Sequence, residues 1–156
     1  MAKGTPATVA LQKAGISFTL HEYDYEPGDR GVGVQAAQAL GIDPARLLKT
    51  LMLQAGGATL CVLVSTDRTV HLKRLAAALG AKDTVLLEPA AAERATGYHV
   101  GGISPFGQKK RARTVLDAAA AGFATIFVNG GRRGLEIEMR PADLVRVLGA
   151  EVMEVT

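Results

Sequence analysis

The run from Thr96 to Arg113, TGYHVGGISPFGQKKRAR, gathers residues that could hold a ligand with backbone rather than with reactive side chains. Gly101, Gly102 and Gly107 leave main chain uncovered, Pro105 fixes one φ angle, and Ser104 is the single hydroxyl between them. Lys109, Lys110, Arg111 and Arg113 follow directly. A stiff loop with free N–H groups beside cations suits a polar or anionic ligand. The same pattern equally describes a surface turn leading into a solvated basic strand. A phosphate loop needs Gly-Lys followed by Ser or Thr, whereas Gly107 is followed by Gln108-Lys109-Lys110, so a magnesium-binding hydroxyl is missing.

Lys49 stands out in the first half because it sits among Leu47, Leu48, Leu51, Met52 and Leu53. On a strand it shares a face with Leu47, Leu51 and Leu53, so its ammonium must either snorkel to a rim or meet an anion in a pocket. Thr50 beside it, Ser65 and Thr66 at the end of ATLCVLVST, and Tyr23 could line the same space. Gly31-Val32-Gly33-Val34-Gln35-Ala36 formally matches a dinucleotide fingerprint, but polar turn sequence precedes it where a buried strand is required. Cys61 lies in an apolar strand with no neighbouring histidine, and reads as a small hydrophobe. His21, His71 and His99 lack the spacing of a zinc site, so neither metal nor cofactor is expected. No Ser-His-Asp order appears either. A site of this kind suits an already activated substrate, where positioning and N–H stabilisation of an oxyanion suffice.

The elements that must position these residues are short. Thr5 as N-cap, Pro6 at N1 and Gly15 past the end frame a helix over 6–14. Residues 16–23 alternate as a half-buried strand that presents His21 and Tyr23 toward a cleft. A loop then enters a helix ending at Gly41, and strands over 47–54 and 58–66 are joined by Gly56-Gly57. A helix over 71–79, a short strand over 84–87 and a helix over 89–95 precede the glycine loop. Strands over 114–116 and 124–128 follow, with a turn at Asn129-Gly130-Gly131. In LEIEM the apolar Leu135, Ile137 and Met139 oppose Glu136 and Glu138, so both carboxylates share a face. Pro141 opens the last helix, and 152–155 forms an edge strand. Strands and helices mix without strict alternation, which argues for an α+β fold.

Length and composition fit one domain over residues 1–156: the chain has 156 residues, 48% hydrophobic and 21% charged. No apolar run approaches the ~18 residues of a spanning helix, and the N-terminus is unlike a secretory leader, so a cytoplasmic protein with no membrane partner is the default. A formal net charge of +3 permits an anionic partner without the footprint of a protein that holds nucleic acid by charge alone.

The runs HEYDYEPGD, LLKTL, TGYHVGGISPFGQKKR, VNGGRRGLEIE and ADLVRVLGAE, in this order, resemble the YbaK/EbsC-type Cys-tRNA(Pro) deacylases, a group that includes the editing domains of prolyl-tRNA synthetases. The resemblance implies a mixed, partly closed β-barrel-like sheet with short surrounding helices. It also implies a trans-editing enzyme that removes a wrong amino acid, cysteine first, from aminoacyl-tRNA(Pro); with so modest a charge, a transient complex with prolyl-tRNA synthetase offers a way to gain effective concentration. The family's lysine falls on Lys49 and its G-x-x-x-P loop on Gly101 to Pro105, which implies a catalytic role for Lys49, Gly101, Gly102, Ile103 and Ser104. Its first-strand tyrosine falls on Tyr23, and its acidic residue on Glu136, where relatives usually carry aspartate. Val32 stands where relatives carry an aromatic residue. Substrate-binding roles are thereby implied for Tyr23, Val32, Thr50, Ser65, Pro105 and Glu136. Lys109, Lys110 and Arg111 are expected to meet tRNA. In the family's favoured mechanism the thiol of the cysteinyl ester attacks its own carbonyl. Alternatives are an aminoacyl-tRNA or nucleotide-binding module without hydrolysis, and a hydrolase of another small activated ester.

Overall fold

The computed structural model describes residues 4–28 and 31–156. Helix α1 (Pro6–Lys13) begins as its sequence predicts: Thr5 and Thr8 form a reciprocal capping box, with Pro6 in the first turn. Its cap also reaches across the molecule, since Thr5 Oγ1 donates to Gly130 O at 2.5 Å. Strand β1 (Thr19–Glu22) is shorter and shallower than expected. Helix α2 (Val32–Leu40) ends on a left-handed Gly41, and the loop before it is tied down where Gln35 and the backbone of Glu26 exchange hydrogen bonds of 2.6 and 3.0 Å.

Strands β2 (Leu48–Ala55) and β3 (Ala58–Ser65) form an antiparallel hairpin. Helix α3 (Leu72–Leu79) crosses one face, followed by β4 (Thr84–Leu86) and α4 (Pro89–Thr96). After the glycine loop come β5 (Arg113–Asp117), the single turn α5 (Ala118–Ala121), β6 (Ile126–Asn129), β7 (Leu135–Met139), α6 (Pro141–Leu148) and β8 (Glu151–Met153). Their order gives a five-stranded sheet, β4-β2-β3-β5-β8, and a three-stranded sheet, β1-β7-β6.

The expected mixed α+β class holds, and the partly closed barrel does not: both sheets are open. They touch through a parallel bridge between Leu47 and Phe127, with Phe127 N–H donating to Arg46 O at 2.9 Å. The ladder stops there because the chain before Leu47 is a turn opened by Asp43 and Pro44, with Asp43 Oδ1 accepting from Ala45 N–H at 3.0 Å, so no strand continues along β6.

The main core fills the space between the sheets, where Leu48, Met52, Leu63 and Leu116 meet Ile126, Val128, Ile137 and Met139 under α1, α4 and α6. A second cluster joins Leu53, Leu60, Val62, Val64 and Val115 to Leu75 of α3 on the other face of the large sheet. A third, small cluster matters most for function: Ala36 and Ala37 of α2 pack on Leu47 and Phe127, covering the junction of the sheets.

Candidate active site

At that junction lies a pocket of about 570 Å³. Its walls are Val32, Gly33 and Ala36 from α2, Leu47 to Thr50 from the start of β2, Thr66 after β3, Val100, Gly101 and Ile103 from the glycine loop, and Asn129 and Glu136 from the small sheet. The two features singled out by sequence spacing, a lysine amid leucines and a glycine run, therefore border one cavity.

Lys49 obeys strand parity: it stands opposite Val64 and shares the face of Leu51 and Leu53. At the strand's end this face opens. Burial lowers the ammonium's pKa, partly offset by Asp67, and among the described residues Lys49 forms no salt bridge. Thr50 faces the other way, and its Oγ1 is buried without a hydrogen-bond partner among the described residues. An orphaned hydroxyl of this kind costs about 1–3 kcal/mol unless a ligand meets it.

Glu136 is 3% exposed, and desolvation pushes its carboxyl up to about 8. Glu138, two residues on and on the same face as the alternation predicts, has the opposite environment. It accepts from Thr125 Oγ1 at 2.6 Å and lies 2.9 Å from His21 Nε2 and 3.4 Å from Arg46, which hold its carboxyl below the usual range. His21 therefore does not face the cleft, because Glu138 and the edge of Phe127 hold it on the sheet surface. Tyr23 stands behind the pocket wall, packed on the α2 cluster with its hydroxyl 3.4 Å from Val32 O. Burial and nearby Glu136 raise its pKa.

The glycine loop is built differently from the expectation of a freely open backbone. Gly102 N–H is already committed, donating to His99 O at 2.8 Å, whereas no hydrogen bond engages the N–H groups of Gly101 and Ile103 among the described residues. A Cβ on Gly102 would lie 2.9 Å from Arg132 Cα, so this glycine permits close approach of a second loop rather than of a ligand. Gly101 adopts φ +91°, a conformation that side chains disfavour. Ser104 is fully buried, its hydroxyl accepting from Phe106 N–H at 3.3 Å, and Pro105 is buried beside it; both shape the loop from beneath without lining the pocket.

Asn129 is the residue that sequence reasoning left in a turn. Its Nδ2 donates to Gly101 O and to Arg132 O, both at 3.3 Å, and its Oδ1 accepts from Gly131 N–H at 2.7 Å. One amide thus pins the glycine loop to the β6–β7 turn. Of the two strand-end hydroxyls only one reaches the pocket: Ser65 Oγ donates to Ala45 O at 2.6 Å and is buried, while Thr66 lines the cavity. Gly33 lets Thr66 in, since a Cβ there would sit 2.5 Å from its methyl. Lys109, Lys110 and Arg111 are exposed but border no part of this cavity: the first two bond through their backbone N–H groups to Thr96 O and Ala95 O, and Arg111 leans 3.4 Å from Val147 O.

Among the described residues the pocket holds no activated nucleophile. Thr66 Oγ1 is spent on Leu47 O at 2.7 Å, and Cys61 is buried in the core with its thiol pushed up to about 12. Among the described residues, no three His, Cys, Asp or Glu side chains converge on a metal position, and no helix is long and apolar enough to cross a membrane. What remains among the described residues is a cation, an orphaned hydroxyl and a buried acid around an apolar floor, beside a glycine loop in which the Gly101 and Ile103 N–H groups are uncommitted.

Residues 30–147 match the family described as the aminoacyl-tRNA editing domain. The chain is 32% identical over 138 residues to EbsC of Enterococcus faecalis, to which Cys-tRNA(Pro)/Cys-tRNA(Cys) deacylase activity is ascribed, covering 86% of this chain and 84% of EbsC. It is 38% identical over 79 residues to proline–tRNA ligase of Acidithiobacillus ferrooxidans, a match covering 51% of this chain and 14% of the ligase. In three dimensions it superposes with a TM-score of 0.86 on a protein assigned as a trans-editing enzyme for prolyl tRNA synthetase, at 22% identity and covering 99% of both chains.

Proposed function

The chain belongs to the aminoacyl-tRNA editing domain family, and from that premise we propose that it is a trans-acting deacylase that clears a mischarged amino acid, cysteine first, from tRNA(Pro). The observation that carries this reading is the shared cavity: Lys49, Gly101, Ile103 and Glu136 line one space, and among the described residues no side chain there is paired with a base that would make it a nucleophile.

The roles follow from chemistry. The ammonium of Lys49 binds the terminal adenosine or its phosphate and fixes the ester at the mouth. Gly101 and Ile103 N–H groups face the carbonyl and stabilise the oxyanion that develops there. The aminoacyl group rests on Val32, Ala36 and Ile103, with Thr50 and Glu136 meeting its polar atoms. A cysteinyl ester then reacts with itself. Its sulfur forms a bond to the carbonyl carbon, the carbon–oxygen bond to ribose breaks, and the thiol proton passes to the departing ribose hydroxyl, leaving a thiolactone and uncharged tRNA. The protein's share is orientation and charge stabilisation.

A deacylation panel of cysteinyl, seryl and alanyl esters of tRNA(Pro) tests this. Rapid loss of the cysteinyl ester with a slow seryl ester is expected, because a hydroxyl is a far poorer nucleophile than a thiol at neutral pH. Equal rates for cysteinyl and alanyl esters would remove thiol assistance, and retention of all three esters would leave a binding module. A formal net charge of +3 supplies little electrostatic hold on tRNA by itself, and a transient complex with prolyl-tRNA synthetase would raise the effective substrate concentration.

A further inference from the structure

A second cavity, a groove of about 800 Å³, adjoins the pocket across a single stretch of backbone: Val100 lines both, Gly101 lines the pocket and Gly102 the groove. The groove's opposite wall is the turn carrying Arg132 and Arg133. Arg133 lies at the lip between the two spaces. Its Nη2 donates to Val100 O at 2.9 Å, its guanidinium carbon stands 5.1 Å from the centroid of Tyr25, and its Nε passes 2.5 Å from where a Cβ on Gly101 would be. A cation is thus laid directly over the pocket's glycine, held by stacking and a carbonyl, with no salt bridge to a described carboxylate.

Arg132 is paired only loosely. It lies 3.2 Å from Glu22 with both side chains roughly half exposed, an ion pair that a stronger anion can displace. Among the described residues that line the groove, the one acid, Glu93, is turned to other work, accepting from Val100 N–H at 2.8 Å with His99 Nδ1 at 3.6 Å. The planar guanidinium fork suits phosphate oxygens, and a polyanionic strand lying in this groove would deliver its end over Gly101 into the pocket.

We infer that Arg132 and Arg133 grip the phosphodiester backbone of the single-stranded acceptor end just upstream of the esterified nucleoside. This rests on the deacylase reading of the pocket and adds to it the path by which the strand arrives. Lys109, Lys110 and Arg111 border neither cavity, so they are not on this path.

The experiment compares wild type with the double variant Arg132→Ala/Arg133→Ala in two assays. In steady-state deacylation of cysteinyl-tRNA(Pro), KM rises roughly tenfold or more with kcat within about twofold, as expected for losing charge-assisted bonds made equally in ground and transition states. With cysteinyl adenosine, which has no upstream phosphate, KM is unchanged. In equilibrium binding of an uncharged RNA hairpin bearing a single-stranded acceptor end, the variant binds more weakly, and the slope of log affinity against log salt shrinks by about 0.7 per lost phosphate contact. Equal KM values for wild type and variant on the charged tRNA overturn the inference. So does an equal rise on both substrates, which would mean a distorted pocket, and so does an effect that appears only in the Lys109→Ala/Lys110→Ala/Arg111→Ala variant. A wild type that binds the hairpin through these arginines but hydrolyses no ester would instead defeat the deacylase reading alone.

Discussion

Asn129 Nδ2 lies 3.3 Å from Gly101 O across 28 residues of chain, and the same nitrogen reaches Arg132 O. Asn129→Asp removes both donated bonds and sets a carboxylate against two carbonyl oxygens. Stability should fall by about 1–3 kcal/mol. Deacylation should fall further, on the order of a hundredfold, because small displacements of a positioning loop are costly to rate. Thermal melts beside kcat measurements check this; an intact rate with a lowered melting temperature would make the tie purely structural.

Lys49→Met should abolish deacylation without weakening the fold. The lysine's pKa is lowered in the folded protein, so the fold disfavours its charge. Between the lowered folded value and the ordinary 10.5 the unfolded chain binds more protons, and stability therefore rises with pH across that window. Methionine retains the stem and removes the charge. Its melting temperature near neutral pH should equal or exceed that of wild type, and a variant that is active but less stable would contradict the assignment.

Glu136 predicts a pH dependence of the opposite sign. Its folded pKa of about 8 lies above the ordinary 4.5, so the folded state binds the extra proton. The stabilisation is complete below 4.5 and is lost progressively as pH rises through about 8. Glu136→Gln, which cannot ionise, should become the more stable protein as pH climbs through that interval. The gap should widen by on the order of 1.4 kcal/mol for each tenfold fall in proton concentration, and level off once wild type has ionised. Denaturant titrations at several pH values provide the comparison, and parallel stability curves would show that the carboxyl is not buried in this way.

Gly102→Ala should destabilise by about 1–3 kcal/mol, since the new Cβ meets Arg132 backbone at 2.9 Å and backbone cannot step aside. At Gly101 the obstacle is the movable guanidinium of Arg133, so Gly101→Ala displaces that side chain and incurs the strain of φ +91°. Chemical denaturation of the two variants, read beside KM for charged tRNA, separates these effects: the rise in KM should be larger at Gly101.

The sequence was most legible where the rule is local. Thr5, Pro6 and Gly15 framed α1, Gly41 and Gly80 ended their helices, and strand parity placed Lys49 and Glu136 on the faces where they stand. Distant partners set the rest. Ser65 and Thr66 are adjacent hydroxyls, both engaged by carbonyls of the preceding segment, Ser65 by Ala45 O and Thr66 by Leu47 O, and only the fold decides that Thr66 alone of the two borders the pocket. Asn129 reads as a turn residue because its function is to bridge two loops that meet only after folding. The separation of the two sheets likewise depends on the chain's turn before Leu47, a feature that strand patterns do not encode.

The first helix carries an engineering lesson. Thr5 Oγ1 clasps Gly130 O, and Gly107 packs so tightly on Pro6 that an added Cβ would lie 2.5 Å from its carbonyl oxygen. Both loops that border the candidate pocket therefore lean on the first described residues, so a bulky affinity tag abutting Thr5, or a circular permutant cut there, is expected to disturb the pocket while most of the molecule stays folded.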